Sequence, residues 1–171
     1  LHLGKPYDDD GRWAAGGTVI PALLKDLMQH EFFVRPAPKS TGREDFSLPW
    51  LQQVLTLFGQ THPIPSPIDI QATLLELTVQ SVAIALAPYG IHQVLVCGGG
   101  AANLKLMSRL QEVCGPNCTS TKAIGLDPQH VEGAAFAWLA WQHLNRRPID
   151  PGAGAQGPRI AGALYPSVKD A

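Results

Sequence analysis

A chain of 171 residues has the length of one ordinary domain and can bury a sizeable core. Its 45% hydrophobic and 16% charged residues are a globular composition, and a net charge of −1 argues against a nucleic-acid or anionic-membrane surface. Cys97, Cys114 and Cys118 form neither an even disulfide framework nor a zinc-ligand set, which fits reduced thiols in a cytoplasmic protein. No signal peptide or membrane span is expected, because the apolar stretch from Val82 to Cys97 is broken by Pro88, Gly90, His92 and Gln93. Leu1-His2-Leu3-Gly4-Lys5-Pro6 reads as the end of a helix, so the chain is expected to be a piece of a longer protein.

In chain order, Thr18 is placed to cap a first helix whose apolar face is Val19, Ile20, Leu23, Leu24, Leu27 and Met28, with Pro21 in its first turn. A long connection runs from Phe32 to Ser47, where Pro36, Pro38 and Gly42 exclude a regular helix. A short helix should follow, with Leu51, Val54, Leu55 and Phe58 on one side. Ser66 is a good N-cap, Pro67 suits the first helical position and Asp69 holds the capping-box place. The helix they start carries Ile68, Ala72, Leu75, Val79, Val82 and Leu86 on one stripe and ends near Pro88-Tyr89-Gly90.

Val94-Leu95-Val96-Cys97 reads as a buried strand running into Gly98-Gly99-Gly100. Leu104, Met107, Leu110 and Cys114 mark the next helix, Thr119-Ser120-Thr121 a second strand, and Pro128 to Leu144 a last helix. The Pro- and Gly-rich stretch from Pro148 to Pro158 is expected to be loop. The order is that of one α/β domain: 1–90 mainly helical, 91–145 strand, glycine turn, helix, strand and helix, and 146–171 a loop-rich tail.

Two features bear on chemistry. Glycines 98–100, between a strand and a helix, let backbone approach a ligand closely, and a helix N-terminus favours anionic or oxygen-rich groups. The turn is not a dinucleotide fingerprint, since Asn103 stands where the third glycine belongs, and no P-loop is present. Glu132 lies in the first turn of the last helix, among small residues (Gly133, Ala134, Ala137) that suggest close approach to another backbone. Its carboxylate either complements the helix dipole or accepts hydrogen bonds from a hydroxyl-bearing ligand. Lys39-Ser40-Thr41-Gly42-Arg43 offers two cations and two hydroxyls, and reads more readily as a structural loop than as a phosphate site. The six histidines share no motif spacing, and no paired-carboxylate or nucleophile motif is present.

Five segments, in this order, resemble the anhydro-N-acetylmuramic acid kinase family: Gly4-Lys5-Pro6-Tyr7-Asp8, Pro36 to Glu44, Gln71 to Thr78, Val96 to Gly100, and Glu132 to Ala140. The Pro-Lys-Ser-Thr-Gly-Arg-Glu stretch is the specific one; a triple glycine would fit many members of the actin, Hsp70 and sugar-kinase superfamily. The resemblance implies the C-terminal lobe of a two-lobed, ribonuclease H-like kinase fold. The implied reaction uses Mg2+ and ATP to open the 1,6-anhydro ring of anhydro-N-acetylmuramic acid with water and phosphorylate O6, a step of peptidoglycan recycling. It assigns Gly98, Gly99, Gly100 and Asn103 to the adenosine-binding turn and Glu132 to the sugar side of the cleft. The family's catalytic aspartate, in an Asp-Thr-Gly-Pro-Gly-Asn stretch, and its phosphate-binding glycines would lie upstream. No catalytic residue or metal ligand is therefore assigned here, and the chain alone is expected to be inactive. Gly133 departs mildly from the alanine expected after the glutamate. The resemblance also implies a missing N-terminal lobe as partner, and the helices of the first half could serve that lobe or a homodimer. The alternatives are another sugar kinase of the same superfamily, or a non-catalytic nucleotide-binding or interaction module.

Overall fold

The computed structural model describes Gly4 and residues 7–37, 39–42, 44–150 and 157–163. The helix end read at Leu1–Leu3, Arg43 of the basic loop and most of the Pro- and Gly-rich tail lie outside the described residues. The architecture is helix-rich α/β with one small parallel sheet.

A 3-10 turn at Asp9–Gly11 leads into a short helix, α1 (Arg12–Ala15). Asp8 organises this corner by accepting the amides of Trp13 (2.8 Å) and Ala14 (3.0 Å). Helix α2 spans Pro21–Leu27 with Ile20, not Thr18, as its N-cap. Thr18 instead ties the chain to a later helix. Its amide donates to Asp69 Oδ1 at 2.7 Å, and the amide of Ile20 donates to Thr73 Oγ1 at 3.0 Å. Tertiary tethering of the 18–20 backbone thus replaces the local cap, and Pro21 takes the first helical position, where a missing N–H costs nothing.

The Phe32–Ser47 connection is not structureless. It begins inside a one-turn helix, α3 (Glu31–Val34), capped by His30 Nδ1, which accepts the Phe32 amide. Helix α4 (Leu48–Phe58) forms as the spacing predicts, burying Leu51 and Phe58 behind a Ser47 N-cap.

Helix α5 (Pro67–Leu86) is the axis of the molecule. Ser66 caps it as expected, but Asp69 does not close a reciprocal box. Its carboxylate takes the Ser66 hydroxyl (2.6 Å) and the Thr18 amide, which holds the carboxyl below its ordinary range. The single apolar stripe expected for α5 proves to be two buried sides. Ile70 and Leu77 join Leu23, Leu27, Leu51 and Phe58 in one cluster; Val79 joins Leu110 and Cys118 in a second, with Leu75 and Val82 packed alongside. Each such aliphatic side chain removed from water contributes about 1.5–3 kcal/mol. Pro67–Tyr89 is long and apolar enough to cross a membrane by length and composition. Both flanks are nevertheless occupied, and buried Glu76 faces a salt bridge rather than lipid.

Strands β1 (Val94–Val96) and β2 (Cys118–Ser120) pair in parallel, Val94 opposite Cys118 and Val96 opposite Ser120, joined by α6 (Leu104–Cys114). Val94 and Val96 face the second cluster while Leu95 points the other way and is exposed, so β1 is covered on one face and not the two expected. Helix α7 (Val131–Leu144) begins three residues later than Pro128 and buries none of its residues. A Cβ at Gly133 would meet nothing within 4 Å, so the close backbone contact read from its small residues is not made among the described residues.

Candidate functional site at the carboxyl end of the sheet

Both parallel strands end on the same side, where open α/β sheets place their ligands. After β1 the chain turns through Gly98, at φ +74 and ψ −170, a conformation open to glycine and hostile to side chains. The Gly98 amide donates to the Pro128 carbonyl at 2.8 Å, joining the turn to the loop that leads into α7. A 3-10 turn over Gly99–Ala102 follows, closed by the Ala101 and Asn103 amides on the Gly98 and Gly100 carbonyls.

Gly99 and Gly100 provide the first amides of this turn, donors that an i→i+3 turn cannot use internally. Their lack of a side chain is not explained by crowding. A Cβ on Gly98 or Gly99 would touch nothing within 4 Å, and one on Gly100 would rest on Leu106 at 3.4 Å. The glycines leave an open approach to backbone donors.

Asn103 is partly committed to the fold. Its Oδ1 caps α6 by accepting the Leu106 amide at 2.9 Å, and it packs so closely on Gly11 that a Cβ there would collide with it. Gly11, at φ +70, is a contact that the sequence does not signal, since it lies ninety-two positions away (103 − 11) with no motif linking the two.

Glu132 is exposed in the first turn of α7. The Gly98–Pro128 bond brings the start of its helix beside the glycine turn. The same edge carries Thr121, Lys122 and Asp127, which no sequence motif marks. Thr121 Oγ1 is buried without a hydrogen-bond partner, Lys122 is exposed with its amide on Ser120 Oγ, and Asp127 Oδ1 accepts the Gln129 amide. By sequence Thr121 is the last residue of a strand, which conceals its place at the turn; in the structure it opens a 3-10 turn after β2.

The basic loop is occupied internally. Lys39 Nζ donates to the carbonyls of Phe32 (2.8 Å) and Phe33 (3.2 Å) and lies over the Phe32 ring. The Thr41 hydroxyl donates to Asp45 at 2.6 Å, and with the Gly42 amide lowers that carboxyl from its ordinary range. Lys39 and Thr41 both serve the loop's own geometry, in keeping with a structural loop. The cysteines are free thiols: Cys97 exposed, Cys114 half-buried and Cys118 buried, the last with its thiol raised by burial and by neighbouring Cys114.

Fold and site together define a class: an α/β segment that offers backbone amides and one flanking carboxylate at the carboxyl end of a small parallel sheet. Comparison along the chain gives the family. The family model for anhydro-N-acetylmuramic acid kinase matches residues 1–167, and the chain belongs to that family. A protein of that name from Bordetella avium (strain 197N) is 48% identical over 170 residues, covering 98% of this chain and 45% of its own length. Namesakes from Pseudomonas paraeruginosa (47% over 169 residues; 96% of this chain, 45% of the relative) and Chromobacterium violaceum (42% over 170; 96% and 46%) agree. The chain spans a little under half the length of these relatives.

Proposed function

We propose that this chain is the C-terminal lobe, of ribonuclease H-like fold, of a cytoplasmic kinase that converts anhydro-N-acetylmuramic acid and ATP to N-acetylmuramic acid 6-phosphate and ADP. One observation carries the assignment of roles: the 2.8 Å Gly98–Pro128 bond, which ties the glycine turn to the start of the Glu132 helix at the carboxyl end of the sheet. In this reading the Gly99 and Gly100 amides and the side chain of Asn103 meet the adenosine part of ATP. Glu132 accepts a hydroxyl proton from the sugar in a hydrogen bond and orients it. Positioning of this kind is the larger part of phosphoryl-transfer catalysis.

The general base that activates water, and the groups that hold the phosphates, belong to the upstream half, so the 171-residue chain turns nothing over by itself. Among the described residues no three His, Cys, Asp or Glu side chains converge. No step is assigned to the ion in this chain.

The test is to incubate the full-length protein with anhydro-N-acetylmuramic acid and Mg-ATP and assay for the sugar 6-phosphate and ADP. Sugar-dependent formation of both is expected. In the same assay Glu132→Gln should lower kcat/KM by about 10–100-fold, the loss of one charged hydrogen bond to substrate. ADP formed only with a different sugar would move the protein to a sibling kinase, and an unimpaired Glu132→Gln enzyme would remove Glu132 from the site.

A further inference from the structure

A sizeable cavity lies away from the glycine turn. It is a groove of about 730 Å³ between α5 and the loop–helix segments before it, walled by Trp13, Phe32, Phe46, Trp50, Leu74 and Thr78. Its mouth is formed by Tyr7, Asp8 and Asp9, where the described chain enters the fold, and Tyr7 is 71% exposed. The aromatic wall is built as one piece: Phe46 packs against Phe32, Phe33, His30 and Trp50 at centroid distances of 4.8–5.6 Å.

Polar side chains line the groove, Asp9, Gln71 and Ser81 among them, but its walls are mainly aromatic and aliphatic. The Asp8 carboxylate is spent on the Trp13 and Ala14 amides, and Arg12 pairs with Asp10. What it offers is a stripe on α5, from Gln71 through Leu74 and Thr78 to Ser81, about 15 Å long, which is three turns of helix.

Two observations bear on what covers it. The relatives are more than twice as long as this chain, so the family's polypeptide has some two hundred further residues to place. And Gly4, a few residues from the mouth, adopts φ +70, the left-handed conformation with which helices commonly terminate.

We propose that the groove seats an amphipathic helix formed by the segment immediately upstream of Leu1 in the full-length protein, which ends at Gly4 and lays its apolar face on Leu74 and Trp50. The groove is then an internal seam of the whole protein. It carries neither substrate nor a foreign partner, and the assignment stands whether or not the catalytic reading above holds.

The experiment uses the full-length protein carrying Thr78→Cys, with maleimide labelling at position 78 followed by peptide mass spectrometry, native and in urea. Thr78 is exposed in the chain described here, so an empty groove labels freely. A covered groove labels at least about a hundredfold more slowly in the native protein than in urea. Hydrogen exchange on the same protein should show the upstream segment slow, and Leu74→Arg should release that segment while α6 stays protected. Rapid labelling at 78 overturns the proposal. So does protection at 78 that vanishes on dilution, the signature of a second copy, or an upstream segment still protected in Leu74→Arg. If Leu74→Arg fails to fold, Ser81→Trp at the groove's end replaces it with the same readout.

Discussion

Glu76 is the residue on which the two halves of α5 meet a charge. It is buried, and Arg109 on α6 grips it with two bonds, Nε to Oε2 at 2.8 Å and a terminal guanidinium nitrogen to Oε1 at 3.0 Å. Gln80 donates a third at 2.6 Å, and Glu112 holds Arg109 from the other side. Burial by itself would raise the carboxyl and is the largest single influence, but the hydrogen bonds and charges of Arg109, with Gln80 and Lys105, outweigh it and the carboxyl sits low. Arg109 is correspondingly raised. A carboxyl depressed on folding contributes stability above its unfolded value, near pH 4.3, and loses it as pH falls through the folded value. Glu76→Gln should therefore flatten the acid limb of the stability curve and lower stability at pH 7 by about 1–3 kcal/mol, read by urea titration at several pH values. The cost stays below that of a fully buried broken pair because Arg109, 33% exposed, can turn to water.

At the scale of elements, the connection between α1 and α2 is locked to α5 by backbone. Gly17 lies so close to Ile68 that a Cβ would collide with the Ile68 carbonyl oxygen and carbon, neither of which can rotate away. Gly17→Ala should cost about 1–3 kcal/mol in urea unfolding, in contrast to Gly133→Ala in open space. These elements also show what a sequence makes legible. The start of α5 is readable because Ser66, Pro67 and Asp69 act within one turn, and α4 because its apolar residues repeat at helical spacing. The two-sided burial of α5 is not, since periodicity gives an angle around the helix but not the number of neighbours. Thr18 resembles a cap in sequence because its true partner, Asp69, is fifty-one positions on. At the site, Gly98 to Gly100 and Glu132 are visible as local patterns. Gly11 against Asn103 and Thr121 at the sheet edge need the fold to bring them there.

For the whole molecule, the telling element is α7. Its residues are apolar nearly all round, yet Phe136 and Leu144 are 64% and 65% exposed and no whole residue of the helix is buried. A helix of that composition belongs in an interior, and parallel sheets are normally covered on both faces. In the 171-residue chain, Phe136→Ser with Leu144→Ser should leave unfolding free energy within about 0.5 kcal/mol, because both side chains are mostly exposed. Sedimentation at increasing concentration should show less self-association than the parent. A loss of stability on the scale of a core deletion would mean that α7 packs within this chain after all.

The shared position of α5 has one more effect. Both hydrophobic clusters lean on it from different sides, so neither can melt without baring the other. Such a strut converts two small cores into one cooperative unit, whose slowest-exchanging amides should be those around Thr73 to Val79.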